Sequence, residues 1–220
     1  MLVSQGITKS YGSLKVLKGI DMAVNKGEIV SIVGASGAGK STLLHILGTL
    51  DKPDDGKLSL NNMDLLKLST SQMARFRNQQ VGFIFQFHNL LPEFTALENV
   101  CLPGYIAKKQ KSDVERYGMR LLELLGLSER AEHKPSQLSG GEQQRTAVAR
   151  ALINQPAIVF ADEPSGNLDS KNANELHDLF FKLREDLEQT FVIVTHNEEL
   201  ATKADRTLEI RDGLIVNIIR

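Results

Sequence analysis

Between Ile29 and Leu50 the chain runs Ile29-Val30-Ser31-Ile32-Val33, then Gly34-Ala35-Ser36-Gly37-Ala38-Gly39-Lys40-Ser41, then a segment of helical apolar spacing. An apolar strand, a glycine-rich loop and a helix in that order constrain the fold more than any other feature of the sequence. The glycines let successive backbone N–H groups turn toward one point at a helix N-terminus, which makes an anion cradle. Lys40 adds a point charge for the β- and γ-phosphates of a nucleotide, and the Ser41 hydroxyl a ligand for Mg²⁺. A bare glycine turn has no use for a lysine and a hydroxyl at those offsets.

Three further apolar runs end on polar residues. Ala157 to Ala161 runs into Asp162-Glu163-Pro164, Val81 to Phe85 into Gln86, and Phe191 to Thr195 into His196. Apolar runs alternating with helical patterns predict a parallel α/β sheet covered on both faces. Ligands bind at the carboxyl edge of such sheets. The sequence therefore predicts that Gly34, Gln86, Asp162 and His196 converge there. Asp162 suits Mg²⁺, directly or through water; Glu163 suits the proton of a water attacking the γ-phosphate. Gln86 suits Mg²⁺ or that water, and His196 the γ-phosphate and the Glu163 water.

The first sixty residues place strand-like runs between turn residues: Val16 to Val24, Asn25-Lys26-Gly27, Glu28 to Val33, then Lys57 to Leu60 after Asp54-Asp55-Gly56. They predict hairpins there. Arg206 to Ile210 and Leu214 to Ile219 around Asp212-Gly213 predict a terminal hairpin. Residues 87–155 carry helical spacing and read as a helical insertion. Within it, Leu138-Ser139-Gly140-Gly141-Glu142-Gln143-Gln144-Arg145 opens a helix with a Ser139/Glu142 capping box. Two glycines, each about 1 kcal/mol worse than alanine in a helix, imply close approach to that backbone. A second anion-binding helix start beside one nucleotide loop points to a site completed by a second copy.

Composition limits the alternatives. With 220 residues, 26 basic against 27 acidic side chains and 41% hydrophobic content, the chain is one ordinary globular domain without a bulk basic field for nucleic acid. Cys101 is the single cysteine, which rules out an internal disulfide and suits a reducing compartment. The best apolar run, Leu43 to Leu50, is interrupted by His45, Gly48 and Thr49, far short of a bilayer span. Neither terminus carries a signal peptide or lipidation box, so the expected location is cytoplasmic.

Taken together, these motifs resemble the ATP-binding cassette (ABC) ATPases over nearly the whole chain: Walker A at 34–41, Q-loop Gln86, signature 138–142, Walker B 157–162 and switch His196. The resemblance implies a P-loop NTPase with a RecA-like α/β core, an antiparallel β-subdomain and an inserted helical subdomain at about 87–155. It implies ATP hydrolysis with ATP and Mg²⁺. Nucleotide contacts would come from Gly34, Ser36, Gly37, Ala38, Gly39, Lys40, Ser41 and Thr42, with Tyr11 stacked on adenine beside Val16. Ser41, Gln86 and Asp162 would serve the metal, and Glu163, His196, Gln86 and Lys40 the chemistry. In a head-to-tail dimer holding two ATP, Ser139, Gly140, Gly141 and Asp169 would reach the partner's nucleotide.

Two departures from the commoner family pattern narrow the branch: Glu142 in place of Gln, and Gly166-Asn167-Leu168-Asp169 in place of Ser-Ala-Leu-Asp. Neither position contacts phosphate, so activity is expected to survive. Both variants resemble the branch that holds the lipoprotein-releasing, macrolide-exporting and cell-division ATPases, and Phe85 to Val100 is most similar to the lipoprotein-releasing members. That resemblance implies membrane subunits of LolC/LolE or FtsX type docking after Gln86, where Phe87, Leu90, Leu91 and Phe94 alternate with His88, Asn89 and Glu93. It implies a peripheral position on the cytoplasmic side of the inner membrane, with the spans on other chains. MacB-like export and an FtsE-like division complex are the near alternatives. A DNA-repair ABC ATPase would need a coiled-coil insertion or a basic face.

Overall fold

The computed structural model describes residues 1–219. In chain order the elements are strands β1 (Leu2–Tyr11), β2 (Leu14–Val24) and β3 (Ile29–Val33), helix α1 (Lys40–Leu47), β4 (Asp55–Leu60), β5 (Met63–Asp64), α2 (Thr70–Gln80) and β6 (Val81–Phe85). Then follow α3 (Ala96–Ile106), α4 (Lys111–Leu124), α5 (Gly140–Leu152), β7 (Ile158–Asp162), α6 (Ser170–Leu187), β8 (Phe191–Val194), α7 (Glu198–Lys203), β9 (Arg206–Arg211) and β10 (Leu214–Ile219).

The strands form two sheets. One is antiparallel, in the order β2-β1-β4-β5. The other has the order β10-β9-β3-β8-β7-β6, parallel from β9 to β6 and closed at its far side by antiparallel β10. The parallel strands are apolar throughout because both faces are covered. Val30, Ile32, Phe160 and Val194 face a core shared with α1 and the antiparallel sheet, through Leu43, Leu47, Leu17 and Leu58. Their alternates Ile29, Val159, Ala161 and Ile193 face a second core built with α3 to α6, through Val100, Leu122, Val148 and Phe180. Cys101 lies in that second core, where burial pushes its thiol up to about 11 and leaves it a hydrophobe.

The parallel sheet and the terminal hairpin match the sequence expectation. The first hairpin does not. β2 pairs with β1, Leu2 opposite Val24, while β3 leaves for the other sheet and lies between β8 and β9. The reason is burial: β3 is buried from Ile29 to Ile32, and a run that is apolar on both faces is not stable in a two-stranded hairpin. Residues 57–60 do enter a hairpin, as part of β4 with β5, through Asn61 and Asn62, both at positive φ.

Three helices start at reciprocal capping boxes: Ser69 with Gln72, Thr95 with Glu98, and Ser139 with Glu142. Each satisfies two N–H groups that a helix start otherwise leaves unpaired. Among the described residues no helix is long and apolar enough to cross a membrane.

Candidate active site

The loop after β3 contains three glycines at φ 148°, 77° and 102° (Gly34, Gly37, Gly39). A Cβ on Gly34 would collide with the Ile210 carbonyl, and one on Gly39 would lie 2.9 Å from Leu17. The loop is therefore restricted to glycine by β9 on one side and β2 on the other. It delivers the chain into α1, whose N-terminus aims its dipole at the loop. Lys40 folds back over it, donating to the carbonyls of Gly34 at 2.8 Å and Ala35 at 3.0 Å. Ala38 is turned into the core, so only its backbone faces the loop.

Strand β7 ends beside this loop. Ser41 donates to Asp162 Oδ1 at 3.0 Å, and His45, one turn further along α1, lies 3.7 Å from Oδ2. Two hard oxygen donors thus meet at the loop's exit. Among the described residues no three or more His, Cys, Asp or Glu side chains gather as a metal nest. The two oxygens could supply only part of a hard cation's ligand set, which is how Mg²⁺ is usually held.

Glu163 follows at φ 46°. Its amide donates to the Val194 carbonyl at 2.9 Å, tying it to β8. His196, at the end of β8, lies with Nδ1 2.7 Å from Glu163 Oε2 and donates its backbone N–H to the same oxygen at 3.2 Å. The carboxylate is mostly shielded at 22% exposure while the imidazole is 74% exposed, so the pair spans the wall and the mouth of the cleft.

One cleft of about 650 Å³ brings together Tyr11, Val16, Gly34, Ser36, Gly37, Gly39, Lys40, Ser41, Thr42, Glu163 and His196. Leu14 lines it too, a residue that carries no local signal of a binding role. Tyr11 is half exposed and fixed at its far end: its hydroxyl donates to Asp51 Oδ2 at 2.7 Å, which raises the phenol's pKa above the ordinary value. Lys9 donates to the other Asp51 oxygen at 2.9 Å and lies 5.2 Å from the Tyr11 ring centre. Asp51 was not legible as a site residue, because it acts from forty residues away, and Lys9 was not because its link to Tyr11 runs through that distant carboxylate. Gln86 emerges from β6 and bonds Asn167, in the loop after β7.

Ser139, Gly140, Gly141 and Asp169 stand apart from the cleft, at the touching N-termini of α5 and α6. Ser139 and Asp169 are the two caps. A Cβ on Gly141 would collide with Asn172, whose side chain donates to Asp169 at 2.6 Å. On Gly140 the nearest neighbour would be Leu168, at 3.8 Å. Packing inside the chain thus accounts for Gly141 and leaves Gly140 unexplained. Hydrogen bonds from Asn172 lower the Asp169 pKa. Glu142 is held at about 2, first by the Ser139 amide and then by Arg130, whose Nε donates at 2.9 Å.

After β6, Phe87 is 70% exposed, and Leu91 and Phe94 are also open to solvent. The segment's backbone is gripped from α5: Gln144 donates to the Phe85 carbonyl at 3.3 Å, and Arg150 to those of His88 at 2.8 Å and Asn89 at 2.6 Å.

A family model described as ABC transporter matches residues 17–166. The lipoprotein-releasing system ATP-binding protein LolD of Cytophaga hutchinsonii is 60% identical over 98% of this chain and 99% of its own length. Its counterpart from Bacteroides fragilis is 57% identical over 98% and 100%. A dimeric post-hydrolysis structure of the ATP-binding cassette MJ0796, bound to ADP and Pi, superposes with a TM-score of 0.91 at 38% identity, covering 100% of this chain and 98% of that one. A strand-loop-helix cradle, a carboxylate pair at the adjoining strand end and a capped glycine helix on the far side are thus found in a chain matched end to end by such cassettes, and the chain belongs to the ABC transporter family of ATP-binding subunits.

Proposed function

We propose that this chain is the ATP-hydrolysing subunit of a membrane complex that releases lipoproteins from the inner membrane. The observation that carries the ATPase part is one cleft in which Lys40, Ser41 and the Glu163–His196 pair meet, with Asp162 bonded to Ser41 behind it. In this reading Tyr11 and Val16 hold the adenine, and the backbone from Gly34 to Gly39 with Lys40, Ser41 and Thr42 holds the phosphates. Bound Mg²⁺ would neutralise phosphate charge, with Ser41, Asp162 and Gln86 as the residues that hold it. Glu163 takes a proton from the attacking water; His196 orients that carboxylate through Nδ1 and contacts the γ-phosphate with its exposed edge.

The same reading makes the site incomplete in one copy. Ser139 and the N–H groups of Gly140 and Gly141 close on the nucleotide of a second copy, and Asp169 reaches across beside them, so two copies enclose two ATP. The dimeric solved relative and the separation of this helix start from the cleft support it. Membrane subunits of LolC/LolE type would seat a short helix on the exposed Phe87–Phe94 surface, on the cytoplasmic side. Identity near 60% over full length with lipoprotein-releasing relatives supports the cargo. The test is purification of the chain from its native membrane followed by reconstitution in lipoprotein-loaded vesicles. ATP-dependent release with the co-purified integral subunits is the expected result; turnover without release, or partners lacking a large periplasmic domain, would remove the cargo assignment.

A further inference from the structure

The loop after Glu163 meets the loop after β6 through a reciprocal amide pair whose polarity is determinate. Asn167 Nδ2 donates to the backbone carbonyl of Gln86 at 3.1 Å, and Gln86 Nε2 donates to Asn167 Oδ1 at 3.1 Å. A backbone carbonyl only accepts, so the Asn167 atom facing it is nitrogen. The other Asn167 atom is then the oxygen, which also only accepts, and Gln86 must offer it Nε2. With the nitrogen committed, Oε1 is the free end of the Gln86 amide. Gly166 completes the fit: a Cβ there would lie 2.9 Å from Gln86 Nε2 and 3.2 Å from its Cδ. Two of the positions where this chain departs from the commoner Ser-Ala-Leu-Asp pattern therefore shape a seat for one side chain.

We propose that Asn167 is a positioning residue for Gln86, setting the rotation of its amide so that oxygen and not nitrogen is offered to Mg²⁺. The proposal rests on the reading of Gln86 as a metal ligand. A hard cation binds an amide through oxygen only, and an amide turned the other way would present two N–H groups to a positive charge. An alanine at 167 removes both of the hydrogen bonds that select one rotation. Asn167 itself needs no contact with metal or nucleotide.

The test uses the full chain with a non-hydrolysable ATP analogue, and Mn²⁺ as the probe, followed through the electron-paramagnetic signal of the free ion. Asn167→Ala is expected to weaken Mn²⁺ about three- to tenfold, the loss typical of one net hydrogen bond. Metal-free nucleotide affinity should stay unchanged, and the thermal midpoint should fall by no more than a few degrees. Gly166→Ala, which pushes on the amide, should shift Mn²⁺ affinity in the same direction. In a Gln86→Ala background Asn167→Ala should have no further effect. If Gln86→Ala weakens Mn²⁺ but Asn167→Ala does not, the proposal is overturned and the ligand reading stands. Equal loss from Asn167→Ala in both backgrounds would also overturn it, as an effect on the loop at large. If Gln86→Ala leaves Mn²⁺ affinity untouched, the ligand reading falls and takes the proposal with it.

Discussion

Glu163 occupies a left-handed conformation that costs a residue with a side chain about 1 kcal/mol or more. Two tethers hold it there, its own amide on Val194 and the two nitrogens of His196 on its carboxylate. Replacing the carboxylate by an amide keeps an acceptor for those donors and removes the proton acceptor. Glu163→Gln should therefore fold and bind ATP normally while turnover falls by about 10²-fold or more. Steady-state phosphate release with parallel nucleotide binding checks this, and a normal turnover rate would disqualify Glu163 as the base. At this scale the sequence was legible in placing polar side chains at strand ends, as for Asp162, Glu163 and His196, which the fold gathers at one sheet edge. It was silent where a side chain acts through a distant one. Asp51 on Tyr11, Asn167 on Gln86 and Arg130 on Glu142 are contacts between separate elements, and nothing local to either partner signals them.

The start of α5 depends on one charge, the Glu142 carboxylate. Glu142 caps the helix and pairs with Arg130, and its folded pKa of about 2 lies below the ordinary 4.5. A depressed folded pKa means stability that is complete above about pH 4.5 and is lost as pH falls toward 2. Glu142→Gln restores the commoner family residue and keeps the cap but loses the ion pair. With Arg130 partly exposed, the cost near neutral pH should be about 0.5–1 kcal/mol, or about 1–4 °C in thermal midpoint. The acid-side slope of stability between pH 4.5 and 2 should flatten in the variant. Thermal melts across that range decide it; an unchanged slope would mean Glu142 titrates alike in both states. This helix start was readable because a capping box is a local pattern, and the boxes at Ser69 and Thr95 carry the same signature. The pairing of β2 was not: alternation identifies a strand but not its neighbour, and β1 is the neighbour that supplied the burial.

For the whole molecule, the informative glycine is Gly140. Among the described residues, nothing beyond its chain neighbours and its own helix backbone comes closer than 3.8 Å to where a Cβ would sit, so Gly140→Ala should leave the isolated chain as stable as before, or slightly more so. A second copy's nucleotide approaching that backbone would meet the added methyl. We expect the variant to keep its thermal midpoint and first nucleotide affinity while ATP-dependent dimerisation weakens at least about tenfold, with turnover losing its steep dependence on protein concentration. Analytical ultracentrifugation with ATP on the Glu163→Gln background is the measurement. Dimerisation unaffected by the methyl would argue against a site shared through this helix start.

The order of the parallel sheet has a mechanical consequence. Gly34, Asp162, Glu163 and His196 leave strands β3, β7 and β8, each flanked by a strand on both sides, whereas Gln86 leaves β6, at the sheet's border with β7 as its single neighbour. The corner that carries Gln86 thus has a strand ladder on one side only and is otherwise held by side chains of α5 and by Asn167, and it adjoins the exposed Phe87–Phe94 surface. A load applied there would displace Gln86 before it disturbed the rest of the site. Amide hydrogen exchange should show it directly, with β6 losing protection ahead of β3, β7 and β8 as denaturant is raised.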